Sequence, residues 1–204
     1  MSRILSTTLP NIIQTAQYTY LENGVVVIPT DTVYGVSVRY DNADAIEKLY
    51  KLKNRGKEKA LPILIGALDQ LEFVAREIPP AAQRLIQAFW PGGLTIILPK
   101  KINLPKNLSE YDTIGIRMPN HQFVLQLMQH CGPLATTSAN ISGGANPTSI
   151  ADVLKQLEYG VDLYLDDGPT AGDVPSTVVD CSTAEPKILR EGVIPSSEIF
   201  KALK

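Results

Sequence analysis

The stretch Leu134-Ala135-Thr136-Thr137-Ser138-Ala139-Asn140-Ile141-Ser142-Gly143-Gly144 constrains the fold more than any other part of this chain. An apolar run suited to a core leads there straight into hydroxyls, an amide and paired glycines. The residues from Pro133 to Ala135 call for burial in a sheet, and an extended backbone puts Ser138 and Asn140, two apart, on one face. A strand end of this kind makes a binding edge. The competing reading is a turn in which Ser and Asn bond their own backbone, and the segment by itself does not separate the two.

The rest of the chain alternates helical and extended patterns with Gly or Pro at most joints, which predicts an α/β protein with a mixed sheet flanked by helices. At 204 residues one substantial core is possible, and a single domain over 1–204 is expected. Helices are predicted over 11–22, 43–53, 68–76, 81–89, 121–130 and 149–157, with a short last one from Ser196; Asp41 or Asn42 is the expected cap of the second. Strands are predicted over 25–28, 61–65, 94–98, 113–117, 162–165, 177–181 and 187–190. In 113–117 the alternation puts Ile114 and Ile116 on one face and Thr113, Gly115 and Arg117 on the other, with room for a ligand over the bare glycine.

Charge and cysteine usage exclude several classes. The net charge of −2 gives no global attraction to nucleic acid or anionic membrane, so any polyanion site must be local. Two cysteines make no disulfide framework, and no basic-then-apolar leader opens the sequence, so a reducing cytoplasm is expected. The apolar runs are far shorter than the roughly 20 residues a membrane helix needs. His121, His130, Cys131 and Cys181 lack metal-ligand spacing, and the familiar nucleotide-binding and hydrolase loops are absent.

The cations are more informative. In the second helix Ile46, Leu49 and Tyr50 form a stripe that continues onto Lys53, which is thereby aimed at the body of the protein, while Lys48 and Lys51 fall off it. Lys53 and Arg55 could grip a phosphate from two directions, although cations at a helix end are also favourable without a ligand. Arg117 either forms a structural salt bridge or binds an anion. Arg190 has an obvious local carboxylate in Glu191 and is equally ambiguous. Asp166 and Asp167, before Gly168-Pro169, read as turn residues.

Together, Pro29-Thr30-Asp31-Thr32-Val33-Tyr34-Gly35, Lys53-Asn54-Arg55, Trp90-Pro91-Gly92-Gly93-Leu94-Thr95, Gly115-Ile116-Arg117-Met118-Pro119, Ser138-Ala139-Asn140 and Pro175-Ser176-Thr177-Val178-Val179-Asp180 resemble the YrdC-type family over nearly the whole chain. The resemblance implies a twisted open sheet around a central, positively lined cavity, in the short form without the extra C-terminal domain of longer relatives. It also implies synthesis of threonylcarbamoyl-AMP from L-threonine, bicarbonate or CO₂ and ATP with release of pyrophosphate, for tRNA threonylcarbamoyladenosine modification. Mg²⁺ is expected on the triphosphate, and proteins that transfer the threonylcarbamoyl group to tRNA are expected downstream.

Carried over onto this sequence, the signature is Lys53, Arg55, Ser138 and Asn140. The resemblance puts Thr32, Arg117, Thr136 and Ser176 around threonine, and Arg55, Lys59, Thr113, Ser138, Asn146 and Arg190 around ATP. Two positions depart from the family pattern: Gly56 replaces a frequent proline, and Leu64 stands near the place of a histidine that some members use close to threonine. The alternatives are a module that binds tRNA or double-stranded RNA, and a paralogue acting on another carbamoyl or acyl nucleotide.

Overall fold

The computed structural model describes residues 3–170, 172 and 174–204. The chain enters with β1 (Arg3–Ser6), α1 (Ile12–Leu21), β2 (Val26–Ile28), β3 (Gly35–Arg39) and α2 (Ala43–Leu52). It continues through β4 (Ile63–Leu64), α3 (Leu71–Val74), α4 (Pro80–Phe89), β5 (Leu94–Pro99), β6 (Thr113–Arg117) and α5 (Gln122–Cys131). The last elements are β7 (Leu134–Ser138), α6 (Ile150–Leu154), β8 (Leu163–Asp166), β9 (Thr177–Asp180), β10 (Lys187–Arg190) and α7 (Ser196–Leu203). The strands form one sheet in the order β1-β8-β2-β3-β7-β4-β6-β5-β9-β10. It is mixed: β8 runs parallel to both β1 and β2, while β3 and β7 are antiparallel partners.

Strand periodicity sorts the core into two layers. In and just before β2, Val25 and Val27 join the larger cluster on one face of the sheet, with Ile46 and Leu49 of α2 and Leu85 of α4. Val26 and Ile28 point the other way, into a smaller cluster with Ile12, Ala16 and Tyr20 of α1 and Val124, Leu127 and Met128 of α5. A run buried on both faces has to be continuously apolar, and this one is. The predicted cap of α2 is Asn42, whose Oδ1 accepts the Ala45 N–H at 2.8 Å.

The smaller cluster covers only part of its face. It takes in Leu64, Leu134, Leu163 and Leu165 but no residue of β5, β6 or β9. Along β5 and β6 the side chains at Leu94, Ile96, Leu98, Ile114 and Ile116 all belong to the larger cluster. Thr95, Ile97, Thr113, Gly115 and Arg117 therefore face the opposite side, beyond the α1 and α5 layer. The polar alternation in 113–117 marks this change from a covered to an uncovered sheet face.

The structure departs from the sequence reading in three elements. The helix expected over 68–76 is a 3-10 turn, Leu68–Gln70, followed by the single-turn α3. Gln70 there accepts the Gly66 N–H and donates to the Met128 carbonyl, both at 2.8 Å, so a buried side-chain tie shapes the segment in place of helix periodicity. Two strands, β1 and β3, were not anticipated. β3 is the return arm of a hairpin with β2, hidden behind the polar residues of 29–34.

Candidate active site

A cavity of about 200 Å³ opens where the α1 and α5 layer stops. Thr30, Thr32, Thr95, Thr136, Thr137, Ser138 and Ser176 line it, with Pro62, Leu64 and Tyr34 among the other lining residues. Asn146, Arg117 and Arg190 complete the polar lining, and no acidic, cysteine or histidine side chain is present in it among the described residues. The positive end of any ligand dipole finds no counter-charge in this wall, whereas carboxylate or phosphate oxygens find two guanidinium groups.

Arg117 is held from three directions. Nε donates to the Gly92 carbonyl at 2.9 Å, Nη1 to Thr32 Oγ1 at 3.0 Å and Nη2 to Asp31 Oδ1 at 2.6 Å. The salt-bridge reading holds, and the same residue lines the cavity. A guanidinium carries five N–H donors, so two remain for a ligand. Burial lowers its affinity for the proton and the Asp31 carboxylate opposes that shift. Thr32 is itself oriented, its N–H and hydroxyl both lying 3.1 Å from Thr30 Oγ1.

Arg190 reaches the same cavity through a β-bulge. Ile188 pairs with Val179 and Arg190 with Val178, which leaves Leu189 as the extra residue. Two-residue periodicity would have put Arg190 on the core face with Ile188; the bulge turns it to the face of Thr95 and Arg117. Its Nη2 donates to the Ser176 carbonyl at 2.8 Å and lies 3.3 Å from Ser176 Oγ, which in turn is 2.8 Å from Thr95 Oγ1. Of the two readings left open, pairing with Glu191 does not occur: Glu191 accepts from the Ser196 N–H and hydroxyl. Among the described residues Arg190 has no acidic partner, and burial lowers its proton affinity.

Ser138 and Asn140 divide their tasks. Ser138 lines the cavity and its Oγ donates to Asn140 Oδ1 at 2.5 Å. Asn140 is turned inward, its Nδ2 donating to the Gly144 carbonyl at 2.7 Å, and it is absent from the lining. Ser138 thus ends β7 at the cavity, while Asn140 bonds back within its own turn.

Other residues named from the sequence lie elsewhere. Lys53 is the C-cap of α2 and points into the body of the protein, but its ammonium donates to the Ser138 and Asn140 carbonyls and stands outside the cavity wall. Arg55 spends its fork locally, Nε on the Lys59 carbonyl at 2.9 Å and Nη2 on the Ala60 carbonyl at 3.0 Å. Lys59 is exposed. Thr113 sits at the far end of β6 from Arg117, paired with Pro99. The space expected over Gly115 is flanked by protein, since a Cβ there would meet Thr95 Cγ2 at 3.2 Å and Pro62 Cβ at 3.6 Å. The cavity is displaced toward the Arg117 end of that strand. Sequence reasoning missed Thr95, Pro62 and Tyr34 as lining residues, although Thr95 and Tyr34 stand inside quoted motifs.

Burial of the Lys53 ammonium, with Arg55 nearby adding repulsion, lowers its pKa from 10.5 to about 7. The unfolded chain then holds more protons than the folded one between those values, so this group makes stability rise as pH increases from about 7 toward 10.5. Lys53→Met should lack this component. Urea midpoints at pH 7 and pH 9 check it, with the wild type gaining more than the variant.

The geometry can be compared with known proteins. The Sua5/YciO/YrdC family model, described as "Telomere recombination", matches residues 19–192. The threonylcarbamoyl-AMP synthase of Bacillus subtilis (strain 168) is 39% identical over 198 residues, which cover 96% of this chain and 57% of that protein. The crystal structure of P. abyssi Sua5 complexed with L-threonine superposes with a TM-score of 0.93 at 35% identity, over 99% of this chain and 60% of that one. E. coli YciO gives a TM-score of 0.86 at 26% identity over 96% and 98% of the two chains. The chain thus spans less than two thirds of the Bacillus and Pyrococcus proteins and almost all of YciO. With the family pattern running through most of its length and the same sheet beneath it, this chain belongs to the Sua5/YciO/YrdC family.

Proposed function

We propose that the protein makes threonylcarbamoyl-AMP from L-threonine, CO₂ or bicarbonate, and ATP. The observation that carries this reading is the cavity lining: two arginines with serines and threonines, and no acid and no nucleophilic Cys or His among the described residues. A wall of that composition suits positioning and charge neutralisation better than covalent or general acid–base catalysis. The relatives' names and the threonine held by P. abyssi Sua5 support the same choice.

In this reading the remaining N–H donors of Arg117, with Thr32, take the threonine carboxylate, while Thr136 and Ser176 surround the rest of the amino acid. The threonine nitrogen bonds to the carbon of CO₂ and loses a proton, giving a carbamate. A carbamate oxygen attacks the α-phosphorus of ATP, the bond from that phosphorus to the bridging oxygen breaks, and pyrophosphate leaves with the electron pair. Ser138, Asn146 and Arg190 hold the phosphates during this in-line exchange. Arg55, Lys59 and Thr113, which stand outside the cavity wall, enter only as outlying contacts to the nucleotide. Among the described residues no three His, Cys, Asp or Glu side chains are grouped to hold an ion. Mg²⁺ would therefore arrive on the triphosphate, neutralising its charge there.

Pyrophosphate release measured with ATP, bicarbonate and each amino acid in turn tests the proposal. Release should need all three substrates and be fastest with threonine. Release indifferent to the amino acid, or RNA binding that weakens steeply with salt and no pyrophosphate at all, would refute it.

A further inference from the structure

Lys53 is a buried cation that the reaction scheme above leaves without a task. The residue is 1% exposed, and among the described residues it has no carboxylate within ion-pair distance. Its Nζ donates to the carbonyls of Ser138 and Asn140, with Asn140 Oδ1 at 3.4 Å. Among the described residues every contact of Nζ is to an oxygen of the turn, and none of its hydrogens is left pointing at the cavity. The main chain of the same residue grips the other end of the turn, the Lys53 carbonyl accepting the Ser142 N–H at 3.1 Å.

Two carbonyl oxygens converging on one point repel each other, and a buried turn that brings them together needs a donor between them. Lys53 supplies it from the C-terminus of α2. The turn in question carries Ser138, whose hydroxyl lines the cavity, and Asn140, which fixes that hydroxyl at 2.5 Å. We propose that Lys53 is a positioning residue, acting on the nucleotide through the Ser138–Ser142 turn and not by contact with phosphate. This rests on reading the cavity as a nucleotide site.

A double-mutant cycle of wild type, Lys53→Met, Ser138→Ala and the pair, read by pyrophosphate release, tests it. Each single change should lower kcat/KM for ATP by about 30-fold or more, and the pair should lie within about threefold of Lys53→Met, because the second change removes a hydroxyl already misplaced. The KM for threonine should move by less than about threefold, since Arg117 and Thr32 are held by other partners. Losses that multiply, or a threonine KM that rises as much as that for ATP, would overturn the proposal, the first showing direct contact and the second a general structural role. Should Lys53→Met not fold, Lys53→Gln replaces it in the same cycle, with the same non-additivity expected. Amide hydrogen exchange gives a readout free of catalysis: Ala139, Ser142 and Gly144 should lose protection in the Lys53 variant while β2 and β6 keep theirs, and unchanged protection at the turn would overturn the idea. If the wild type releases no pyrophosphate, the reading of the cavity fails, and exchange still decides the hold of Lys53 on the turn.

Discussion

Arg117→Met is expected to abolish turnover and to destabilise the fold together, lowering kcat/KM by about 10³-fold or more, the scale seen when a preorganised charge or donor is removed from a site. The stability loss follows from what remains. Asp31, largely buried, loses its cation; the Gly92 carbonyl and Thr32 hydroxyl lose donors at 2.9 and 3.0 Å. Breaking a buried pair from one side costs about 3 kcal/mol or more. Adding Asp31→Asn to the variant removes the stranded carboxylate, so denaturation midpoints should recover in part while activity stays lost. Recovery of activity in the double variant would show that Arg117 serves only to neutralise Asp31. Arg117→Lys should rescue little, because a point charge cannot meet Gly92, Thr32 and Asp31 together and still present donors to a ligand.

Arg190→Met is the contrasting case, with a loss of about 10²-fold or more in kcat/KM for ATP and a stability change within about 1 kcal/mol. Arg190 has no carboxylate partner among the described residues, so its removal strands no charge, and the hydroxyl of Ser176 keeps Thr95 at 2.8 Å. Burial of this guanidinium costs the free protein something that a bound anion would offset. Urea unfolding and ATP-dependent pyrophosphate release, measured on the same preparations, separate the two arginines: one links stability to function, the other serves function at little structural cost. A large drop in midpoint for Arg190→Met would place it with Arg117 as a structural cation.

The sequence made part of this site legible because strand periodicity is local. The alternation of 113–117 gave the face of Arg117, and the unbroken apolar run before Pro29 gave a strand buried on both sides. The stripe on α2 aimed Lys53 inward correctly, yet what it meets there depends on a turn 85 residues away, which no helical period encodes. Arg190 shows the same limit more sharply. Its face is set by one extra residue at Leu189, and a strict period of two would have assigned it to the core. The pairing of Asp31 with Arg117 and the order of strands across the sheet are long-range facts of the same kind.

The most direct measurement of the central claim is the mass of the nucleotide product formed from ATP, threonine and ¹³C-bicarbonate. The account predicts an adduct of AMP and threonine joined through a carbonyl that carries the label, made by the wild type and missing with Arg117→Met. An adduct without the label, or labelled product formed equally well by Arg117→Met, would contradict it.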